Sequence, residues 1–308
     1  MKGLIIAFLR IPLAAKADYI FIHREVVPVG PPFVEWVLAK LLRKKIIYDF
    51  DDAIWLTDKT KESWPETILR WRSKVGSICR WSYKVSCGNS YLCDYARQFK
   101  KDVVLNPTTI DTDRMHSKAL YKETASFIRA DEKIDKSRNV GVVIGWTGSH
   151  STLKYLEMIG TVLESLEKKY DKLSFLVIAD KAPQLSLKRL EFRKWSQETE
   201  VKDLSLIDIG IMPLPDDKWT KGKCGFKALQ YMAMGIPALV SPVAVNKVIV
   251  RDGENGFWCD QDQEWFDKLS LLIEDRALCD KMGATGRNLV EQHYSIKANA
   301  KNFSSLFS

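Results

Sequence analysis

The chain of 308 residues has no Cys-x-x-Cys pair: its six cysteines are scattered as Cys79, Cys87, Cys93, Cys224, Cys259 and Cys279, and it has only four histidines. Zinc-ligand spacing is therefore absent, and reduced cytosolic thiols are the expected state. There is no GxGxxG, no GxxxxGK[ST], no GxSxG and no HExxH, which sets aside nicotinamide oxidoreductases, P-loop ATPases, serine hydrolases and zinc proteases. No apolar run approaches the ~20 residues of a membrane-spanning helix. Internal repeats and low-complexity tracts are also missing. At the start, Lys2 precedes an apolar run, but Arg10 and Pro12 interrupt it. A helix leading into a strand accounts for this segment better than a signal peptide.

What remains is a folded protein, 46% hydrophobic and 28% charged, long enough for two domains. Net charge is +8, unevenly placed: residues 1–111 hold 18 Lys and Arg against 12 Asp and Glu, the rest 29 against 27. A basic first third fits either an anionic partner or a plain solvated basic surface.

Strand and helix patterns alternate throughout. Residues 19–22 and 45–48 read as strands, the first ending in His23-Arg24-Glu25, the second in Asp49-Phe50-Asp51-Asp52. Pro31 and Pro32 precede a helix. A long helix is predicted over 66–83, with Ile68, Trp71, Val75 and Ile78 on one face and Arg70, Arg72, Lys74 and Arg80 away from it. Residues 84–86, a helix over 91–99 and a strand over 102–105 close a first domain, 1–111. Residues 112–138 are charged, poor in apolar runs, and read as a linker. A second domain, 139–294, opens with a strand over 139–146, a helix over 153–170 and a strand over 173–179. A C-terminal helix occupies 295–308. The pattern predicts an α/β fold with open, mostly parallel sheets covered by helices.

The most informative stretch is 208–243, DIGIMPLPDDKWTKGKCGFKALQYMAMGIPALVSPV. It reads as strand, polar loop, helix and strand. Lys223, Gly225 and Lys227 fall at the helix start, where free N–H groups, the helix dipole and lysines together favour phosphate. The polar clusters 23–25, 49–52, 147–149 and 222–227 all fall at carboxyl ends of predicted strands, where such sheets bind ligands.

IGWTGSHST, DIGIMPL, GKCGFKALQYMAMGIPALVSPVAVN and VRDGENGFW make residues 139–294 resemble the nucleotide-sugar domain of GT-B-fold glycosyltransferases, in particular the retaining family 4. ADYIFIHRE, SCGNSYLCDYARQF and VVLNPTTIDTDRM extend the resemblance to the first domain. It implies two Rossmann-like parallel-sheet domains facing across a cleft, the first incomplete, because roughly two βα units that open the family's fold have no counterpart before residue 19.

The chain departs from the family pattern in two further places. Of the family's two glutamates, the second position is Gln230 and the first is Gly222, with Lys223 beside it. Lys223 and Lys227, four apart, are read as a diphosphate clamp on one helix face, or else as solvated lysines flanking a core helix. The family's Gly-Arg and Lys are replaced by Trp146-Thr147-Gly148-Ser149-His150-Ser151-Thr152, whose hydroxyls and N–H groups suit phosphate oxygens. His150 fits a phosphate contact, a helix cap or a surface role.

The resemblance implies a retaining, metal-independent hexosyl-type glycosyltransferase acting in cell-surface polysaccharide synthesis. The donor is a nucleotide-diphosphate sugar, with no further cofactor and no nucleic acid as partner. The acceptor is a glycan or a lipid-linked sugar. Lys223 and Asp51 are the expected catalytic residues, Asp51 on the acceptor side unless the aspartates are merely helix caps. Thr147, Gly148, Ser149, Lys223, Cys224, Gly225, Phe226, Lys227 and Gln230 are the expected donor-binding residues. The expected location is cytoplasmic, with peripheral contact at the inner face of an anionic membrane; the alternative for the 66–83 helix is a buried Trp71 under a solvated basic face. The missing carboxylates keep a second reading open, a degenerate non-catalytic nucleotide-sugar-binding protein or partner subunit.

Overall fold

A computed structural model describes residues 11–58, 63–117 and 141–308. The start of the chain through residue 10, and most of the stretch read as a linker, lie outside the described residues. The chain forms two compact units: Met1–Thr108, Asp216–Cys224 and Asn299–Ser308 make the first, and Thr109–Pro215 with Gly225–Ala298 make the second.

The first unit is built on a four-stranded parallel sheet in the order β1-β2-β3-β4, with β1 Tyr19–His23, β2 Lys45–Phe50, β3 Lys84–Cys87 and β4 Val103–Leu105. Ile46, Ile47, Tyr48 and Phe50 are fully buried, so β2 carries apolar side chains on both faces, as a central parallel strand must. The helix predicted after Pro31-Pro32 is present as Phe33–Trp36 and continues as a π-helical turn over Val37–Leu41. Asn89 caps the helix Ser90–Arg97, its Oδ1 accepting from the Leu92 N–H at 2.9 Å. Residues 299–308 complete the unit: Phe303 and Phe307 pack on Phe21, and Asn302 Nδ2 donates to the Leu105 carbonyl at 3.0 Å.

The long helix expected over 66–83 is two helices, Trp64–Arg70 and Lys74–Trp81. The break is Trp71, at φ 47° in the left-handed region, which leaves its side chain 46% exposed instead of in the core. Lys74, expected away from the apolar face, is buried, its Nζ bonded to Glu25 Oε2 and to the Val27 carbonyl, both at 2.7 Å. Val75 and Ile78 keep their predicted place in the core.

The second unit has a six-stranded parallel sheet in the order β10-β9-β8-β5-β6-β7. The strands are β5 Val143–Gly148, β6 Ser174–Ala179, β7 Leu190–Lys194, β8 Ile209–Met212, β9 Ala238–Val240 and β10 Gly256–Trp258. The chain builds outward from β5 to β7, returns to β8 on the other side of β5, and builds outward again. The β5/β8 junction is therefore the topological switch point, the place where open parallel sheets leave a crevice. The helix predicted over 153–170 is divided into Leu153–Glu157 and Gly160–Lys169. Residues 109–111, expected in the first domain, and the linker's first residues belong to this unit: Ile110 pairs with Ser295, and Arg287 donates to the carbonyls of Thr112, at 2.8 Å, and of His116 and Ala233.

The sheet and the helix Phe226–Ala233 pack closely at Gly210 in β8. A Cβ there would lie 2.3 Å from ring atoms of the buried Tyr231. Gly210→Ala should therefore destabilise the protein by about 1–3 kcal/mol through overpacking, seen as a lower midpoint in urea denaturation with an unchanged slope.

Candidate functional site

At the switch point of the second unit, two pieces of backbone approach one another's side chains. β5 ends in Thr147 and Gly148, and Ser149 follows it, exposed. The buried Thr147 donates its N–H to Tyr231 Oη at 3.0 Å, and Tyr231 in turn donates to the Ile211 carbonyl at 3.3 Å. This ties the end of β5 to the helix Phe226–Ala233. The helix begins at Gly225, at φ 70°, and no side chain caps it. Its first N–H groups thus form an anion-binding end.

Lys227, in the first turn, sits over the Trp146 ring at 5.1 Å from the centroid. A Cβ on Gly148 would meet Trp146 at 2.4 Å and Lys227 Cε at 2.9 Å, so only glycine lets the three pack together. Asn246 is buried beside the helix start, its Oδ1 3.5 Å from where a Gly225 Cβ would stand. That oxygen has no hydrogen-bond partner, while its Nδ2 donates to the Ser241 carbonyl. Ala244, two residues earlier, is held at φ 44°. Neither residue was singled out from the sequence, because a buried unpaired oxygen and a strained alanine leave no local sequence signal.

One expected donor residue of this unit, Gln230, is already engaged, as is His150, for which a phosphate contact is one of three readings. Gln230 is buried, and its Nε2 donates to Glu200 Oε1 at 3.0 Å. His150 bonds Asp180 through its N–H at 2.5 Å and Nδ1 at 2.6 Å, and these bonds hold the exposed Asp180 carboxyl below its usual range. A separate cavity of about 480 Å³ opens at the opposite, amino-terminal edge of this sheet, beside Val142, Leu173, Asp208 and Arg276. Its buried Asp208 is committed to Arg276 at 3.1 Å and to the Val143 N–H at 2.9 Å, so the cavity offers no comparable group.

The first unit gathers a charged cluster at the carboxyl edge of its own sheet. Arg24, at φ 62°, donates to Asp51 through Nε at 2.8 Å and reaches Asp52 at 3.4 Å. Lys223 Nζ bonds Asp52 Oδ1 at 2.8 Å and lies over the Trp219 ring. His23 Nδ1 meets Asp49 Oδ2 at 2.7 Å, and Ser86 donates to the other Asp49 oxygen at 2.6 Å. Asp51 and Asp52 therefore accept from cations instead of capping a helix. Among the described residues no three His, Cys, Asp or Glu side chains gather as a metal-binding set.

Residues 216–224 belong to this first unit. Asn89 Nδ2 donates to the carbonyls of Lys221 and Lys223, and the buried Cys224 thiol donates to the Asp51 carbonyl at 3.1 Å. Burial first, then Asp51 and Asp52, push that thiol's pKa far up. A side chain at Gly222 would strike the Ala53 backbone N at 2.7 Å, so a glutamate cannot be placed there without moving the chain. Lys223 has extended backbone, three residues before the helix. The expected i, i+4 helical pairing of Lys223 with Lys227 therefore does not exist. The structure instead gives Lys223 to Asp52 and Lys227 to Trp146.

Burial pushes the Asp51 carboxyl up, but hydrogen bonding and charge from Arg24, with His23, outweigh it and leave the group below its usual range. A depressed carboxyl contributes stability that is complete above the unfolded value of about 3.9 and is lost as pH falls through the folded value. Arg24→Gln should remove the main cause, raising the Asp51 pKa in an NMR titration and lessening the acid-side loss of stability.

Residues 141–275 match the family described as Glycosyl transferases group 1. A search of curated proteins finds no match. Solved structures share the fold at low identity. Sucrose-phosphate synthase from Thermosynechococcus elongatus aligns over 98% of this chain and 76% of its own, at 15% identity and TM-score 0.73. Anabaena Alr3699/HepE, solved with UDP and glucose, aligns over 98% and 81%, at 13% identity and TM-score 0.73. A glycosyltransferase from Rickettsia africae ESF-5 aligns over 99% and 80%, at 12% identity and TM-score 0.70. With its two parallel sheets, the chain has the GT-B fold of these structures, and its residues 141–275 are similar to the family described as Glycosyl transferases group 1.

Proposed function

We propose that this protein transfers a hexose from a nucleotide-diphosphate sugar to a glycan or lipid-linked acceptor in cell-surface polysaccharide synthesis, retaining anomeric configuration and without a metal. The observation that carries the donor half is the β5/β8 switch point. There, an uncapped helix start, Lys227 and the glycine-narrowed end of β5 meet. The first N–H groups of the helix and Lys227 hold the diphosphate, and the N–H and hydroxyl of Ser149 add donors. Developing negative charge on the leaving diphosphate is stabilised by the same fixed donors, which need no rearrangement as the bond breaks. Gln230 and Glu200, as a pair, supply the amide and carboxylate that a ribose requires; the carboxylate missing from the helix is provided by Glu200. The buried Asn246 Oδ1 is a further acceptor for a donor-sugar or nucleoside hydroxyl. UDP-binding in the HepE structures supports the nucleotide class.

Lys223 and Asp51 are included among the residues the transfer step needs. Asp51, fixed as a carboxylate by Arg24, orients an acceptor hydroxyl or stabilises positive charge on the sugar. The engagement of Lys223 by Asp52 favours the second reading, a non-catalytic nucleotide-sugar-binding protein, because that cation is already neutralised.

Calorimetry with UDP-glucose and other nucleotide sugars, followed by a transfer assay, tests both readings. Lys227→Ala should weaken donor binding about ten- to a hundredfold, the worth of a charged hydrogen bond. Lys223→Ala should abolish transfer with the fold intact; unchanged turnover removes its role. Binding without transfer to any acceptor selects the non-catalytic reading, and absence of binding rejects both.

A further inference from the structure

Of the four histidines only His116 is buried. It is 6% exposed, and neither ring nitrogen has a hydrogen-bond partner. A buried polar ring without partners costs free energy that an apolar ring of the same shape would not. His116 lies in the second unit, at the end of the turn that follows Ile110. Its N–H donates to the Asp111 carbonyl at 2.8 Å. Its own carbonyl accepts from Arg287, which also holds the Ala233 carbonyl at the end of the helix Phe226–Ala233. Gln230, one turn earlier in that helix, donates to Glu200.

Three charged groups act on the ring: Glu200, Asp111 and Arg287. Arg287 is committed to three backbone carbonyls and, through Nε, to Glu291 at 2.6 Å. Asp111 Oδ1 accepts from the N–H groups of Asp113 and Arg114, at 3.2 and 2.9 Å. The Glu200 carboxylate, among the described residues, holds the Gln230 amide through Oε1 and keeps its other oxygen for a further donor. Burial holds the His116 imidazole below its ordinary range, against the pull of Glu200 and Asp111. The ring is therefore neutral at pH 7. Protonation would give it a second N–H and a charge where water does not reach, and both require an acceptor. Glu200 is the carboxylate that can supply one.

We propose that His116 is a proton-operated positioning residue of the donor site: neutral, it leaves the Glu200 carboxylate to a ribose hydroxyl, and protonated, it draws that carboxylate to itself and lowers donor affinity. The inference rests on the reading of Gln230 and Glu200 as the ribose pair. One proton passes from solvent to the ring, and no covalent bond forms or breaks. By linkage, a bound donor in turn disfavours protonation of His116. Affinity is then complete above the ordinary imidazole value of about 6.5 and falls as pH drops below it.

Two measurements on the full chain test it. UDP-glucose has no group that titrates between about pH 5 and about pH 7.5, so a change in its affinity over that range reports the protein. Calorimetry should show wild-type affinity falling about tenfold across it, the worth of one charged hydrogen bond. His116→Phe should bind UDP-glucose equally well at both ends of the range, and His116→Leu, also without a titrating group, repeats the test should the larger ring misfold. The second measurement needs no donor: the His116 ring is titrated by NMR in histidine-labelled protein. Glu200→Gln should lower its pKa, because the carboxylate's pull is gone. An unchanged pKa in Glu200→Gln overturns the coupling even if UDP-glucose binds, and leaves the donor reading standing. A wild-type pH response that persists in His116→Phe and His116→Leu also overturns the inference. Absence of UDP-glucose binding at any pH, with the pKa lowered in Glu200→Gln, rejects the donor reading and the gating with it.

Discussion

The ion pair between Lys223 and Asp52 decides how the most informative stretch of the sequence is used. At 2.8 Å it fixes the end of a loop that leaves the second sheet after β8 and contributes residues 216–224 to the first unit. Around it, Asn89 takes the carbonyls of Lys221 and Lys223, Cys224 takes that of Asp51, and Gly222 lies against Ala53. None of these contacts is strong alone. Together they satisfy the polar groups of a half-buried loop, which a chain excursion of this kind requires. Only beyond Gly225 does the chain resume the second unit, and the helix start that faces the switch point begins there.

The two units manage charge differently. The first sets Arg24 and Lys223 against Asp51 and Asp52, so cations and carboxylates offset one another. The second keeps its chemistry in backbone: an uncapped helix, a glycine at the end of β5, one lysine and a buried amide oxygen. The first arrangement suits orienting a neutral hydroxyl. The second suits holding a charged group by fixed dipoles.

Much of the fold was legible because parallel strands buried on both faces read as short apolar runs. The strands around Ile46–Tyr48, Phe175–Ile178 and Ala238–Val240, and the helix ending at Gly235-Ile236-Pro237, follow directly from that pattern. The break at Trp71 was not legible, since nothing local in WRSK forbids a continuous helix; the tertiary bond from Lys74 to Glu25 and Val27 competes with it. The site was half legible. Gly148, Gly225 and Lys227 carry signals of turn chemistry and charge. The partners of Lys223, Gln230 and His150 lie far away in sequence, at Asp52, Glu200 and Asp180, and a reading of local spacing cannot find them. All six cysteines are buried, and burial pushes the Cys79 thiol up to about 12, which makes it a poor nucleophile.

Neither unit is continuous in the chain. The first requires Phe303 and Phe307 against β1, and the second requires Ser295 against Ile110 and Arg287 against Thr112. During synthesis, β1 emerges long before the rings that cover it, and the stretch after Thr109 waits for a helix made almost two hundred residues later, a delay of roughly ten to forty seconds at ordinary elongation rates. Until those rings are made, the aromatic side chains of β1 lack the partners that cover them in the finished fold, and transiently exposed apolar surface of this kind favours association with other chains.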